Sequence, residues 1–338
     1  MDYKFNPEEN EWNLALKEMN IKENLHINYH YGQLVKNLGW KPLRYIVFSE
    51  NKPIALMQSI LIDYYKFPSY KNISCGGREG NGFFVKQGFS RESILKELIR
   101  RTKKKSGGGI ISFTLINDKE LRLNPSLSYL RHTPVLNLTV QEEVLWKKLN
   151  KKTRNEIRQA EQRNVSVVRN NTDDGIGEFY RLKSPKWKDE RKTAWNIRLK
   201  DKETFKKFYK YAIENKLMSL FFAKVKENTV ALAAVYHIDD KIIYATGALD
   251  RNFQWNRPVN LLLWKVIKWA KKNNSKELDF CGAVTDENNP DFSRTKFKLG
   301  FGAEIKSFPT YVWLSTKIFG IETKAMNLLL KKIWKKTH

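Results

Sequence analysis

The sequence predicts a mixed α/β fold of two tandem units, each a mixed sheet flanked by helices. The first observation is that both halves of the chain contain paired strands, then a helix and a further strand. In the first half the segments are Leu43–Glu50, Lys52–Tyr64, Ser90–Lys105 and Ile110–Ile116. In the second half they are Val230–Ile238, Lys241–Leu249, Leu261–Lys272 and Leu278–Cys281. The second observation is the length of 338 residues, which suits one or two domains of ordinary size.

The composition indicates a globular protein with a basic surface. Apolar residues make up 41% of the chain and aromatic residues 13%, which supports packed cores and excludes collagen-like and low-complexity classes. The 62 Lys and Arg residues outnumber the 36 Asp and Glu residues, for a net charge of +26. This excess favours polyanionic partners such as RNA, acidic lipid surfaces or nucleotide-linked substrates. The alternative is a solvated basic surface that reflects a Lys- and Asn-rich genome.

The first residues and the cysteines indicate a cellular compartment. The opening run M-D-Y-K-F-N-P-E-E-N is polar and acidic, so it does not predict a signal peptide. No apolar run approaches the roughly 20 residues that span a bilayer. Cys75 and Cys281 lie far apart in the sequence, which indicates two buried thiols in a reducing compartment. We therefore expect a soluble, cytoplasmic protein.

Residues 1–140 form the first predicted unit. Its two long strands meet at Glu50-Asn51-Lys52, which suits a hairpin. Ser90 is the expected N-cap of the helix that follows. Four glycines within Cys75–Gly82 could offer backbone N–H groups to an anion. The segment lacks the G-x-x-x-x-G-K-[ST] spacing, so an ordinary loop is the preferred interpretation.

Residues 141–316 form the second predicted unit, with the boundary near 135–145. Its most strongly patterned segment is Gln141–Asn164, which we predict as one helix. Four basic residues at i, i+4, i+7 and i+11 form a continuous stripe on this helix: Lys147, Lys151, Arg154 and Arg158. Such a stripe can follow a phosphate backbone, although a solvated basic face explains the pattern almost as well.

The last segment, 317–338, has the pattern of an amphipathic basic helix. Packing back on the first unit is the common fate of such a helix. The alternative is peripheral contact with the anionic inner leaflet of the membrane, which its lysines and terminal tryptophan would suit.

The stretch Lys241–Gly302 carries the most informative pattern: strand, loop, helix, strand and a short helix ended by glycine. This order resembles the donor site of the acyl-CoA N-acetyltransferase (GNAT) fold. There, a Gly-rich loop before the helix offers backbone N–H groups to the diphosphate of CoA. Here the loop reads R-N-F-Q-W-N-R-P, without glycine and with Phe253 and Trp255 in its place. CoA is therefore disfavoured as the acyl donor.

Five runs of the second unit resemble the FemAB family. They are L-W-K-K-L-N-K-K-T-R-N-E-I-R-Q-A-E, I-I-Y-A-T-G-A-L-D, P-V-N-L-L-L-W-K-V-I-K-W-A, L-D-F-C-G-A and F-K-L-G-F-G. Members of this family are aminoacyl-tRNA-dependent peptidyltransferases that add amino acids to peptidoglycan precursors. The resemblance implies two tandem GNAT-like domains and aminoacyl-tRNA as co-substrate, with no cofactor. The basic stripe would then hold the tRNA.

The resemblance also implies roles for single residues. Lys298, in F-K-L-G-F-G, matches the family lysine at the reacting end and would stabilise an oxyanion. Lys36, Arg191 and Trp195 match positions that hold the anionic precursor, although the family aromatic at the last position is a phenol. Without the resemblance, Lys36 would be taken as a solvated helix lysine. Tyr244, on the central strand, can donate a hydrogen bond or relay a proton.

Other reactive patterns are weaker. Asp279 and Asp286 are candidate general bases, but a carboxylate at a strand end is more often a structural acceptor. His237-Ile238-Asp239-Asp240 has too few donors to predict a metal site, so we expect no metal. The absence of G-x-S-x-G removes the usual signature of a serine hydrolase.

We therefore expect an aminoacyltransferase that moves an amino acid from aminoacyl-tRNA to an amino group of a cell-wall peptide or surface-polymer precursor. The precursor would be anionic and linked to a nucleotide or a lipid, and the enzyme a monomer. Two alternatives stay open. One is a CoA-dependent N-acyltransferase of a surface sugar or peptide, and the other is a non-catalytic module that binds RNA or a membrane surface.

Overall fold

The computed structural model describes residues 1–63, 70–76, 82–106, 109–116, 124–185 and 194–317. The chain divides into two compact units. Unit 1 comprises Met1–Arg131 and Phe308–His338, and unit 2 comprises His132–Ser307. The boundary between the units predicted from the sequence, near 135–145, lies a few residues after this one. The predicted C-terminal helix, 317–338, lies outside the described residues beyond Lys317.

Unit 1 begins with short elements and continues into a hairpin. Its helices are α1 (Glu9–Glu18), α2 (Tyr29–Leu34) and α3 (Arg91–Lys105), with a 3₁₀ helix at Val35–Leu38. Its strands are β1 (Asp2–Phe5), β2 (Lys41–Ser49), β3 (Lys52–Asp63), β4 (Tyr70–Cys75), β5 (Phe83–Val85) and β6 (Gly109–Ile116). The predicted hairpin is β2 and β3, and Ser90 is the N-cap of α3, where its side chain accepts from the Ser93 amide.

The remaining elements build unit 2, with parts of β7 and β13 in unit 1. The helices are α4 (Glu142–Lys148), α5 (Lys151–Gln162), α6 (Asp173–Lys183), α7 (Ala194–Leu199), α8 (Lys202–Glu214), α9 (Pro258–Lys272) and α10 (Phe292–Leu299). The strands are β7 (Leu127–Asn137), β8 (Val165–Arg169), β9 (Met218–Val225), β10 (Asn228–Ile238), β11 (Lys241–Leu249), β12 (Glu277–Asp279) and β13 (Glu304–Lys317). None of the described helices is long and apolar enough to cross a bilayer.

The sheet of unit 1 is mixed and covered by helices on both faces. Its order is β1-β2-β3-β4-β6, followed by the Thr310–Lys317 part of β13, and β5 adds to β3. Only β4 and β6 are parallel among these pairs. Residues of β2 alternate between two cores, as the two-residue strand period requires. Tyr45 and Val47 pack in the core that includes helix α3, whereas Ile46 packs with Trp12 of α1.

The sheet of unit 2 has the order β7-β12-β11-β10-β9-β8. Its single parallel pair is β11 with β12, and the other described pairs are antiparallel. Helix α9 fills the core on one face, where Leu262, Val266 and Ile267 are fully buried. Pro258 is its first residue, where a missing N–H costs nothing. The predicted mixed α/β class with helix-flanked mixed sheets is thus confirmed.

The predicted single helix Gln141–Asn164 is wrong, because the structure divides it into α4 and α5. Leu149 and Asn150 have extended backbones, with ψ angles of 140° and 160°. The Asn150 side chain accepts a hydrogen bond from the Thr153 amide (2.7 Å) and so caps α5. The expected stripe therefore does not run along one helix: Lys147 lies on α4, whereas the other three basic residues lie on α5.

Arg154 has a structural role at this break. Its guanidinium donates to the Lys147 carbonyl (3.1 Å) and to the Leu149 carbonyl. These acceptors lie at the end of α4, where carbonyls lack helical partners. Arg158 is exposed instead, with its guanidinium 5.6 Å from the Trp146 ring centroid. The two arginines are therefore a capping group and a surface cation.

Arg154→Ala should lower the free energy of unfolding by about 1–2 kcal/mol, because two carbonyls lose a charged donor. Arg158→Ala, the matched control, should change it by less than about 0.5 kcal/mol, as an exposed cation does. Urea unfolding followed by circular dichroism measures both. Equal stabilities of the two variants would contradict the capping role.

Candidate functional site

The candidate site lies where β11 and β12 separate. The two parallel strands pair only from Lys241–Ile243 to Glu277–Asp279. Beyond Ile243, β11 continues to Leu249 with β10 as its described neighbour. A bulge interrupts the β10–β11 register, since Val235 pairs with Tyr244 and Ala234 with Thr246. Crevices at the carboxyl ends of parallel strands are common ligand sites.

A tight turn follows β12 and receives Lys298 from α10. Cys281 and Gly282 both have φ angles of 55°, in the left-handed region. The Lys298 ammonium donates to the carbonyls of Cys281 and Gly282, at 2.7 Å for Gly282. Charge-assisted hydrogen bonds of this kind orient a long side chain well. The structure thus fixes a cation at the carboxyl end of β12.

Asp279, the last residue of β12, supports this turn through hydrogen bonds. The residue is 7% exposed, and its carboxylate accepts from the Thr133 hydroxyl and from the Cys281 amide (2.7 Å). These contacts agree with the interpretation of Asp279 as a structural hydrogen-bond acceptor rather than a general base. Asp286 is exposed and accepts from the Asn288 amide at 3.0 Å, as in an Asx turn. The contribution of Thr133 has no signal in the sequence, because this residue precedes Asp279 by 146 positions.

Tyr244 lies beside the same turn. Burial raises the pKa of its phenol to about 12, and the neighbouring Cys281 thiol adds to that shift. Its ring meets Phe280 edge-on, with centroids 6.4 Å apart. Gly247 leaves space for the hydroxyl, since a Cβ at this position would collide with it. Tyr244 and Lys298 therefore both border Cys281, and the phenol stays protonated at neutral pH.

The segment before α9 is a 3₁₀ helix, Arg251–Asn256, where the sequence predicts an irregular polar loop. Three backbone amides in or next to this segment form hydrogen bonds within it. The Asn252 amide donates to the Asp250 side chain, the Phe253 amide to the Asp250 carbonyl and the Arg257 amide to the Gln254 carbonyl. These three groups are therefore directed into the segment itself. Trp255, at 62% exposure, projects from it.

The other predicted substrate-binding residues are Lys36, Arg191 and Trp195. Lys36 is exposed on the 3₁₀ helix of unit 1, between buried Val35 and partly buried Asn37. Arg191 lies outside the described residues. The backbone of Trp195 belongs to α7, but its side chain is also outside the described part. The roles of these three residues stay predictions.

Two residues of the weak metal pattern, His237 and Asp240, contact other side chains. The Nε2 of His237 lies 3.2 Å from the Ser219 hydroxyl, and burial lowers the pKa of this imidazole. Asp240 forms an ion pair with Lys276 at 3.2 Å. Within the described ranges, no three His, Cys, Asp or Glu side chains come together as a metal site would require. The glycine-rich segment after Cys75 lies largely outside those ranges.

Comparison with known proteins identifies the architecture. Residues 147–292 match the acetyltransferase (GNAT) domain family. A biosynthetic peptidoglycan transglycosylase of Azoarcus sp. (strain BH72) is 32% identical over 109 residues, which is 31% of this chain and 46% of the relative. The chain therefore matches less than half the length of that relative.

Solved structures extend the likeness to nearly the whole chain. FemX superposes with a TM-score of 0.67 at 16% identity, covering 91% of this chain and 97% of FemX. The C-terminal domain of a protein assigned as a lysylphosphatidylglycerol synthetase, from Agrobacterium fabrum, gives 0.58 at 9% identity, covering 96% of each chain. A tandem GNAT protein of clavulanic acid biosynthesis gives 0.55 at 12% identity, covering 93% of this chain and 98% of that one. The predicted resemblance is confirmed in the fold: the chain has the fold of FemX and of a tandem GNAT protein, and residues 147–292 match the GNAT domain family.

Proposed function

We propose that this protein is an aminoacyltransferase that uses aminoacyl-tRNA to acylate an amino group of a cell-wall peptide or surface-polymer precursor. The observation that carries the proposal is the Lys298 ammonium, which the Cys281 and Gly282 carbonyls hold at the carboxyl end of β12. Such a fixed cation suits a reaction in which negative charge develops on a carbonyl oxygen, and the protonated phenol of Tyr244, also near Cys281, can add a hydrogen bond.

The reaction needs few protein groups. The neutral acceptor amine attacks the ester carbonyl of the aminoacyl-tRNA, and a tetrahedral oxyanion forms next to Lys298. The C–N bond forms and the ester C–O bond breaks, so that the terminal ribose leaves as an alcohol. The proton lost by the amine goes to that ribose oxygen, with the vicinal hydroxyl of the ribose as a relay. Tyr244 donates a hydrogen bond to the oxyanion and stays neutral throughout.

The choice of donor follows from the segment before α9. A CoA diphosphate needs several backbone N–H groups that point outwards. Here the amides of Asn252, Phe253 and Arg257 are directed into the segment, which supports a donor other than CoA. A CoA-dependent N-acyltransferase is the second candidate, and the match to the GNAT domain family favours it.

The acceptor is proposed from charge and from the relatives. The net charge of +26 favours an anionic precursor, which Lys36, Arg191 and Trp195 would hold. The name of the synthetase from Agrobacterium fabrum describes a lysyl group on a lipid, which supports a lipid-linked acceptor at the inner membrane face. A nucleotide-linked cell-wall precursor is the other form. Either reaction would take place in the cytoplasm, where charged tRNA is made.

Purified protein should transfer radiolabel from charged tRNA, and not from acetyl-CoA, to a mixture of nucleotide- and lipid-linked precursors. Thin-layer chromatography of the products measures the transfer. Label from acetyl-CoA alone would favour the second candidate. No transfer from either donor, with RNA binding intact, would favour a non-catalytic binding module.

Lys298→Met should lower the transfer rate by about 10²- to 10³-fold, because the oxyanion loses its cation. The variant should also lose about 1–3 kcal/mol of stability, since two carbonyls lose a charged donor. Lys296→Met, on the exposed side of α10, is the matched control and should retain wild-type activity. Full activity of the Lys298 variant would refute this assignment.

Tyr244→Phe should slow transfer by about 10- to 100-fold while keeping the fold, because only a hydroxyl donor is removed. The variant also tests the pKa of about 12. Below pH 10 the phenol is protonated in both the folded and the unfolded chain, so its ionisation does not change the free energy of unfolding. Between about pH 10 and 12 only the unfolded chain ionises, and stability falls as the pH rises.

This alkaline loss of stability should be smaller in Tyr244→Phe than in the wild type. Urea midpoints at pH 9 and about pH 11 measure the difference. Equal losses in the two proteins would show that the phenol titrates in its ordinary range.

A further inference from the structure

Trp255 carries an exposed indole that Arg163 supports. The side chain is 62% exposed, on the 3₁₀ helix before α9. The Arg163 guanidinium lies 4.3 Å from its ring centroid and also donates to the Trp255 carbonyl. This arginine therefore covers the ring on one side and holds its backbone in place. A rigid indole that is open to solvent is the surface on which nucleic-acid bases stack.

An open basic cleft lies close to this indole along the chain, since Arg257, two residues after Trp255, lines it. The cleft has a volume of about 470 Å³ between α5 and the start of α9, and its lining residues are Lys151, Lys152, Asn155, Glu156, Gln159 and Arg257. The one carboxylate is engaged, since Glu156 pairs with Arg257 (3.6 Å) and accepts from Asn260 (3.0 Å). Across the described ranges, Lys151 and Lys152 form no ion pair. The cleft is therefore cationic.

Arg257 gives independent support for a ligand. Its Nε is buried and has no hydrogen-bond partner among the described residues. The residue also has a left-handed backbone, with φ of 56°, at the N-cap of α9. Buried polar atoms are normally paired, and an exception needs a specific explanation, such as a water or an ion that accepts the hydrogen bond. An anion in the cleft is one such acceptor.

The indole and the cleft lie along the same helix. Glu156 of α5 contacts Arg257, and Arg163 at the end of α5 contacts Trp255. Seven residues of helix separate these two contacts, or about 10 Å. One stacked base and the phosphate of the neighbouring nucleotide can span that distance.

We propose that Trp255 and the cationic cleft bind the single-stranded 3′ end of an RNA, with a base on the indole and a phosphate near Lys151, Lys152 and Arg257. This inference rests on the proposed function, because it gives the donor tRNA a binding site for its 3′ end on unit 2. The same chemistry, a base joined to phosphate, is present in CoA. The amides of Asn252, Phe253 and Arg257 are bonded within the segment, which favours RNA, because the lysine and arginine side chains of the cleft can bind its phosphate.

Fluorescence anisotropy with a labelled, uncharged single-stranded RNA ending in C-C-A tests the site. Trp255→Leu should weaken binding by about 5- to 100-fold, the effect of losing one stacked base. Trp255→Phe should restore most of the affinity, because phenylalanine also stacks. Lys152→Ala should lower the slope of log affinity against log salt by about 0.7. Lys207→Ala, an exposed lysine of α8, is the matched control and should leave the slope unchanged.

Unchanged RNA affinity in Trp255→Leu would overturn the proposal. Displacement of the RNA by micromolar CoA would also overturn the proposal and assign the site to CoA. Equal binding of duplex RNA, insensitive to Trp255, would overturn it too, because a duplex offers no free base to the indole. The assay needs no transfer, so it separates two failures. Trp255-dependent binding without any aminoacyl transfer would refute the proposed reaction and keep this site. Transfer without Trp255-dependent binding would refute the site alone.

Discussion

The parallel pairing of β11 with β12 lasts for three residues, and the candidate site is arranged around the point where it stops. Beyond this point the chain after β12 turns through two left-handed residues, Cys281 and Gly282, rather than following its neighbour. A turn of this kind directs consecutive carbonyls to one side, and the Lys298 ammonium binds them there. The buried Asp279 carboxylate holds the start of the turn through the Cys281 amide. Strand separation, cation placement and phenol environment thus depend on one short segment.

Much of the fold was predictable because local patterns determine it. The β2–β3 hairpin, the Ser90 cap and the buried helix after Pro258 all follow from residue types at fixed spacings. The break between α4 and α5 also had a signal. Asn150 is a favourable N-cap with Thr153 three residues later, but the strong helical periodicity on both sides concealed it.

Contacts between distant residues were not predictable in this way. Arg163 and Trp255 are 92 positions apart, and no spacing indicates that they meet. The same holds for Thr133 and Asp279. Tyr244 and Lys298 stand out in the sequence through the segments that contain them, but no pattern indicates that both border Cys281. Arg154 has the spacing of a surface cation, although its guanidinium caps a helix.

Gly247 has a consequence for how the phenol is kept in place. It belongs to the same strand as Tyr244, and its missing Cβ is the space that the hydroxyl occupies. The two positions, three residues apart on β11, are therefore sterically linked. A homologous chain with any side chain at position 247 would have to carry a smaller residue at 244 or orient its aromatic ring elsewhere. Variation at these two positions should accordingly be correlated, so that a change at one is tolerated only together with a change at the other.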